Sequence, residues 1–142
     1  MSIHKIRGAR SYLYFVLREP IEDIVPVRIG AALSPLQAAT DAVRGCRKSE
    51  LRVLGYAAIG SHGRATLALE ELRERMSSWS ARDGWVSVPS AEGRWFRRSF
   101  KTSVDRHSSI DGKNPIYHVD LLAYFGKPGK VEFTHSPRCN TR

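Results

Sequence analysis

The chain opens its regular structure with Tyr12-Leu13-Tyr14-Phe15-Val16, followed after a short interruption by Val27-Arg28-Ile29-Gly30. Aromatic and β-branched residues dominate both runs, and such residues favour strands. We therefore predict strands over residues 11–17 and 24–29, close enough along the chain to pair antiparallel. Pro26 has no N–H to donate, which indicates an edge or a bulge in the second strand.

A helix and a third strand are predicted next. Ser34 is a suitable N-cap, Pro35 suits the first helical position, and Gln37 lies three residues after the cap, which together make a capping box. The buried face of this helix is predicted to carry Leu36, Ala39, Val43 and Cys46. The third strand is predicted over residues 51–59.

The clearest periodic signal predicts a second helix over residues 64–79. Its apolar residues recur at alternating steps of four and three, as on one side of an α-helix. Glu71 and Arg75 are spaced as a favourable i,i+4 ion pair on the other side. The apolar stripe comprises Ala65, Leu69, Leu72, Met76 and Trp79.

After the second helix the pattern changes to alternation, which predicts strands over 85–88, 94–100 and 117–125. A polar loop is predicted over 102–114, and a short return strand over 131–133. The expected fold is an α/β (α+β) domain with a small, mainly antiparallel sheet flanked by two helices. Residues 1–90 form the expected core, and residues 91–142 a basic, β-rich C-terminal extension packed on the same domain.

Net charge favours a polyanionic partner. The 142 residues carry a net charge of +9, with a pI of about 10.1. Residues 94–142 hold ten basic and four acidic side chains, so the positive charge is concentrated towards the C-terminus. Such asymmetry is typical of nucleic-acid-binding proteins.

Several classes of protein are disfavoured by composition. We expect no transmembrane helix, because no run of 18 apolar residues occurs. We also expect no signal peptide, because the basic start leads into a short strand. Cys46 and Cys139 are too few for a disulfide framework or a zinc site. A cytoplasmic location is therefore expected.

The order strand, strand, helix, strand, helix resembles the core of GIY-YIG nuclease domains, over roughly residues 10–90. Tyr12-Leu13-Tyr14 is similar to the first motif, and Arg28-Ile29-Gly30 to the second. The closest likeness is to a phage and bacterial subfamily with Lys-Ile-Gly in the second motif. Asp83-Gly84-Trp85-Val86 lies at the distance of that subfamily's closing element. Gly93-Arg94-Trp95-Phe96 matches its letters better but lies ten residues later.

The resemblance implies a metal-dependent nuclease whose catalytic positions have degenerated. Tyr14 matches the motif tyrosine, but the first-helix arginine falls near Ala38 and the second-helix glutamate near Leu69. A shift of one residue brings Glu70 to the metal position. If the domain is active, the catalytic candidates are Tyr14, Arg28 and Glu70, with Glu70 as the Mg²⁺ ligand.

A basic run interleaved with aromatics follows residue 93. Read as a strand, it has Trp95, Arg97, Ser99 and Lys101 on one face and Arg94, Phe96, Arg98 and Phe100 on the other. Guanidinium groups can bind phosphates while Trp95 stacks on an unpaired base. An ordinary strand with its aromatics in the core is the alternative. The predicted phosphate contacts are Arg28, Arg94, Arg97, Arg98 and Lys101, with Lys127 and Lys130 at a hairpin tip.

The function expected from the sequence is therefore nucleic-acid binding, with DNA favoured over RNA, by a degenerate GIY-YIG-like domain from a phage or mobile element. No cofactor is expected unless the domain is a nuclease, which requires Mg²⁺. One alternative is an active divalent-metal-dependent endonuclease. Another is a protein-binding inhibitor of a nucleic-acid enzyme. His118 and Asp120 share a predicted strand face, and with His107 nearby they are a weaker candidate for a metal or acid–base pair.

Overall fold

Three antiparallel strands form the centre of the molecule. The computed structural model describes residues 10–44, 46–110 and 114–125. Strand β1 (Tyr12–Arg18) lies between β2 (Ile24–Ala32) and β3 (Leu51–Ala58) and pairs antiparallel with both. These strands agree with the sequence prediction.

Three shorter strands extend this centre on both sides. A β-hairpin of β4 (Ala81–Arg82) and β5 (Trp85–Pro89) adds to β2, and β6 (Tyr117–Asp120) adds to β3. The described sheet therefore has six strands in the order β4-β5-β2-β1-β3-β6, with outer strands of two and four residues. β2 is an interior strand, which differs from the edge position suggested by Pro26. Its pairing with β1 ends at Val27, so Pro26 lies beyond that ladder and pairs only with β5.

Helices cover both faces of the sheet, which confirms the predicted fold class. The described helices are α1 (Pro35–Val43), α2 (His62–Arg75), α3 (Gly93–His107) and α4 (Leu121–Phe125), with short 3-10 turns at Lys48–Glu50 and Ser90–Glu92. Side chains of α1 and α4 share one core with one face of the sheet, and side chains of α2 and α3 share a second core with the other. Within the described ranges, every helix is too short or too polar to traverse a lipid bilayer.

Two consecutive aromatic residues of β1 lie over glycines on opposite sides of the sheet. The ring of Tyr14 lies over Gly30 of β2, in the core shared with α1. The ring of Phe15 lies over Gly55 of β3, in the core shared with α2 and α3. A side chain at either glycine would overlap the ring, so the absence of Cβ is what allows this packing.

The start of α1 is formed as predicted, and so is part of its buried face, since Ala39 and Cys46 are buried and Val43 is partly buried. Ser34 Oγ accepts a hydrogen bond from the Gln37 N–H at 3.1 Å, and Gln37 Oε1 accepts one from the Leu33 N–H at 3.0 Å. Leu36, predicted in the core, is 53% exposed. The buried positions are Pro35, Ala38, Ala39 and Ala42, because small side chains allow the helix to approach the sheet closely.

Helix α2 ends at Arg75, four residues earlier than predicted, so Met76 and Trp79 of the predicted apolar stripe follow the helix. It begins at His62, two residues earlier than predicted, because Ser61 caps it by accepting a hydrogen bond from the Arg64 N–H. Ala65, Leu72 and Met76 are buried in the core beneath the helix. Leu69 and Trp79, the other members of the stripe, are partly buried against the same core.

The strand predicted over residues 94–100 is wrong, since these residues belong to α3. The helix extends to His107 and also replaces the first half of the loop predicted over 102–114. The reason is a helical pattern of buried positions, namely Phe96, Ser99, Phe100, Ser103 and Val104. The extension is therefore not β-rich at this point, and its helix packs on α2 and on Phe15 of β1.

The strand predicted over 117–125 is correct only as far as Asp120. Asp120 Oδ1 accepts a hydrogen bond from the Ala123 N–H at 3.2 Å, which is the bond that an N-cap makes, and α4 begins at the next residue. Lys127 and Lys130, and the strand predicted over 131–133, lie outside the described residues.

Candidate functional site

Tyr14, the candidate motif tyrosine, is almost fully buried. The residue is 7% exposed, and its hydroxyl lies over Gly30. Within the described part of the chain, this hydroxyl makes no hydrogen bond. Burial raises the pKa of Tyr14 above its usual value, the negative charge of Asp41 raises it further, and Arg28 opposes the shift. A neutral phenol can donate a hydrogen bond, but it is not a ready general base near neutral pH.

Arg28 is held against an aromatic ring and a backbone carbonyl. Its guanidinium lies 4.7 Å from the centre of the Trp85 ring, and its Nη2 donates to the carbonyl oxygen of Asp83 at 3.0 Å. Arg18 lies against the same ring at 5.0 Å. Such contacts stabilise the hairpin of β4 and β5, so Arg28 has a structural role whether or not it also contacts a ligand.

Glu70 does not join Tyr14 in a catalytic arrangement. Glu70 is exposed on α2, whose buried side faces the core that contains Phe15, whereas Tyr14 lies in the core on the other side of the sheet. No group of three or more His, Cys, Asp or Glu residues in the described ranges is arranged to hold a metal ion. The described residues therefore do not bring Glu70 and Tyr14 to one side of the sheet.

Its neighbour Glu71 is the centre of a polar cluster that joins α2 to α3. Glu71 Oε1 lies 2.7 Å from His107 Nε2 and accepts a hydrogen bond from Ser103 Oγ at 3.4 Å. Glu71 Oε2 pairs with Arg106 at 3.2 Å and with Arg75 at 3.8 Å. The pair with Arg75 was predicted from its spacing, but the contacts across to α3 were not. His107 is therefore engaged with Glu71, and His118 bonds to a different residue, Arg97.

A group of cations lies along the outer side of α3. Arg94, Arg97, Arg98 and Lys101 recur at steps of three, one and three, which puts them on one face of a helix. The buried positions of α3 occupy the opposite face. At about 1.5 Å of rise per residue, this basic face is about 10 Å long. The predicted strand would have divided these four residues between its two faces, whereas the helix places all four on one face.

Two members of the basic face have partners and two do not. Lys101 Nζ contacts Asp105 Oδ1 at 2.7 Å and the carbonyl oxygen of Asn114 at 3.0 Å. Arg97 Nη1 lies 3.4 Å from His118 Nε2. Arg94 and Arg98 are exposed and make no hydrogen bond or ion pair with any described residue.

Trp95 lies beside this face but is not a free ring. It is partly buried and meets Trp79 edge to face, with ring centres 5.2 Å apart at 83°. Trp79 in turn lines a cavity of about 310 Å³ between the end of α2 and the hairpin of β4 and β5. The cavity was not predicted from the sequence, because it depends on the hairpin, whose first strand was missed.

His118 connects the basic face to the sheet and gives a pH-dependent prediction. Partial burial, and to a lesser extent the charge of Arg97, lowers its pKa below the usual 6.5. The folded state therefore resists protonation of His118 while the unfolded state accepts it. The contribution of neutral His118 to the free energy of unfolding is therefore complete above about pH 6.5. It is lost as the pH decreases towards the lower pKa of the folded state.

We expect His118→Gln to reduce this pH dependence. The measurement is the free energy of unfolding in urea at pH 7.5 and 5.5, for wild type and variant. The wild type should lose more stability between the two values than the variant does. His62→Gln, at an exposed position in the first turn of α2, is the matched control. An equal loss in wild type and His118→Gln would contradict the assignment.

Comparisons with protein-family models, with curated proteins and with solved structures each found no match to the chain. By its fold, the chain is an α+β domain with an open antiparallel sheet and helices on both faces. Its distinguishing surface is the basic face of α3.

Proposed function

We propose that this protein binds nucleic acid through the basic face of α3, on a GIY-YIG-like domain whose catalytic positions have degenerated. The observation that carries the proposal is the alignment of Arg94, Arg97, Arg98 and Lys101 on the solvent side of one helix. A row of cations about 10 Å long suits a phosphate backbone, in the groove of a duplex or along a single strand. DNA is the favoured partner.

The local energetics of α3 also favour an anionic partner. Like charges three or four residues apart destabilise a helix by a few tenths of a kcal/mol per pair. Arg94 adds a cation to the first turn, which the helix dipole disfavours, and this turn has no acidic residue. Asp105 offsets the charge of Lys101, but the three arginines of this face are not explained by helix stability, whereas phosphate groups would relieve their repulsion.

The residues at the positions that the resemblance assigns to catalysis support the hypothesis that these positions have degenerated. Ala38 is buried where the family has its arginine, and Leu69 is partly buried where it has its glutamate. The strand order β2-β1-β3, with α1 before β3 and α2 after it, agrees with the β-β-α-β-α order on which the resemblance rests. Glu70 and Tyr14 lie on opposite sides of the sheet, which favours binding over metal-dependent cleavage.

The test is a binding titration with labelled duplex and single-stranded DNA and RNA, in Mg²⁺ and in EDTA, from 50 to 200 mM salt. The binding constant should fall steeply as the salt concentration rises. In a plot of its logarithm against the logarithm of the salt concentration, each phosphate contacted adds about 0.7 to 0.9 to the negative slope. Arg94→Glu combined with Arg98→Glu should weaken binding and reduce the slope by about 1.4 to 1.8, because two contacts are removed.

The matched control makes the same charge change on the other side of the sheet. Arg44 and Arg47 are both exposed near the end of α1, and Arg44→Glu combined with Arg47→Glu should retain most of the affinity. Equal losses in the two double variants would mean that net charge, not α3, determines binding. Cleavage that requires Mg²⁺ would favour the endonuclease, and no binding at all would favour the protein-binding inhibitor.

A further inference from the structure

The cavity at the end of α2 has the size and lining of a site for one flat ring system. Its volume of about 310 Å³ is at the lower end of the range of about 300–1,000 Å³ usual for ligand pockets. Its walls are mostly apolar, with Arg73 and Ser77 as the polar groups. The apolar walls include Ile29, Met76, Trp79 and Val86.

An aromatic pair connects this cavity to the basic face of α3. Trp79 lines the cavity, and Trp95 contacts Trp79 from α3. Arg98 lies three residues after Trp95 on α3 and is its neighbour on the helix surface, and Arg94 lies one turn before Arg98 on the same face. The cavity and the basic face are therefore parts of one continuous surface.

The cations around this surface differ from the others on the same two helices. Arg73, Arg94 and Arg98 make no hydrogen bond or ion pair with any described residue. By contrast, Arg75 and Arg106 pair with Glu71, and Arg64 donates to the carbonyl oxygen of His107. The unpaired guanidinium groups are those at the cavity wall and beside Trp95.

We propose that the cavity receives an unpaired base of a single-stranded nucleic acid whose phosphates lie along Arg94 and Arg98. This inference rests on the proposed function and names its substrate class. A base that is paired and stacked in a duplex cannot enter a cavity, whereas a single strand can turn a base out at little cost. Trp79 offers an aromatic wall, Arg73 a cation beside the ring, and the phosphates on either side of the base meet α3.

The test compares three probes of equal length: a single-stranded oligothymidylate, the same strand with every base removed, and a duplex. The abasic strand keeps the phosphates, so a difference between the two single strands isolates the contribution of the bases. We expect the oligothymidylate to bind about 5- to 100-fold more tightly than the abasic strand. The duplex should bind more weakly than the oligothymidylate, and the series is repeated with the RNA equivalents.

Two variants assign the effect to the cavity. Trp79→Ala should bring the affinity of the oligothymidylate close to that of the abasic strand. Because Trp79 also packs on Trp95, Ala81→Trp provides a second variant, which fills the cavity from an exposed strand position without removing a buried group. Thr40→Trp, on the exposed side of α1 across the sheet, is the matched control and should leave the preference intact.

Each outcome separates this inference from the proposed function. If the wild type binds all three probes equally, binding by α3 stands and the base site is overturned. A preference for bases that survives both Trp79→Ala and Ala81→Trp also overturns the base site. If the wild type binds no probe, the proposed function itself is overturned.

Discussion

Gly55→Ala is expected to lower the free energy of unfolding by about 1–3 kcal/mol or more, although it adds only one methyl group. That methyl would overlap the ring of Phe15, which lies directly over Gly55. The ring cannot move away, because Phe96 and Phe100 of α3 pack against it with ring centres at 5.3 and 4.8 Å. Urea unfolding monitored by circular dichroism measures the loss.

Two further variants test the cause of this loss. Gly63→Ala makes the same change in the first turn of α2, where a Cβ has no neighbour within 4 Å, and should be neutral or stabilising by up to about 1 kcal/mol. Phe15→Leu removes the ring, so adding Gly55→Ala to it should cost much less than adding it to the wild type. If Gly55→Ala lowered the free energy of unfolding of Phe15→Leu as much as that of the wild type, overlap with the Phe15 ring would not be the cause.

Phe100→Ala is expected to cost about 3–5 kcal/mol, because it leaves a cavity where α3 meets the sheet. Phe100 is 0% exposed and packs on both Phe15 and Phe96. The same measurement of unfolding free energy applies. Binding to nucleic acid should be measured alongside it, since the basic face depends on α3 remaining in place.

The control is Leu67→Ala, which also truncates a large apolar side chain on a helix. Leu67 is 54% exposed, so its removal should change stability by no more than about 0.5 kcal/mol. If Phe100→Ala changed the free energy of unfolding as little as Leu67→Ala does, Phe100 would not hold α3 against the sheet. The position of the basic face would then not depend on this packing.

The first half of the fold was predictable because several local signals agree there. The apolar runs of β1 and β3, the cap at Ser34 and the stripe of α2 all indicate the same elements. The buried face of α1 was predicted only in part. Ala39 and Cys46 are buried as predicted, but Ala38 and Ala42 have no strong pattern of their own, and Leu36 is exposed.

Helix α3 was missed because its buried face is partly polar. Phe96, Phe100 and Val104 recur at steps of four, but Ser99 and Ser103 occupy the buried positions between them. With these serines counted as polar, the short run of Trp95 and Phe96 before Phe100 resembled strand alternation. Ser103 is buried at this point because its hydroxyl bonds to Glu71 of α2, a tertiary contact that one segment of sequence does not reveal.

The cations of the candidate site were found from the sequence, but their arrangement was not. Charge identifies Arg94, Arg97 and Arg98, whereas only the helix shows that they share a face. The cavity depends on the hairpin of β4 and β5, whose turn at Asp83 and Gly84 has positive φ angles of 55° and 84°. Asp-Gly is a strong signal for such a turn, and it was interpreted instead as part of a family motif.

The short outer strands of the sheet also affect how the protein behaves in solution. β4 and β6 have two and four residues, so each offers few backbone N–H and C=O groups to a strand from another molecule. Long exposed edges promote aggregation through intermolecular strand pairing. The described sheet is therefore a poor template for such pairing, even at high protein concentration.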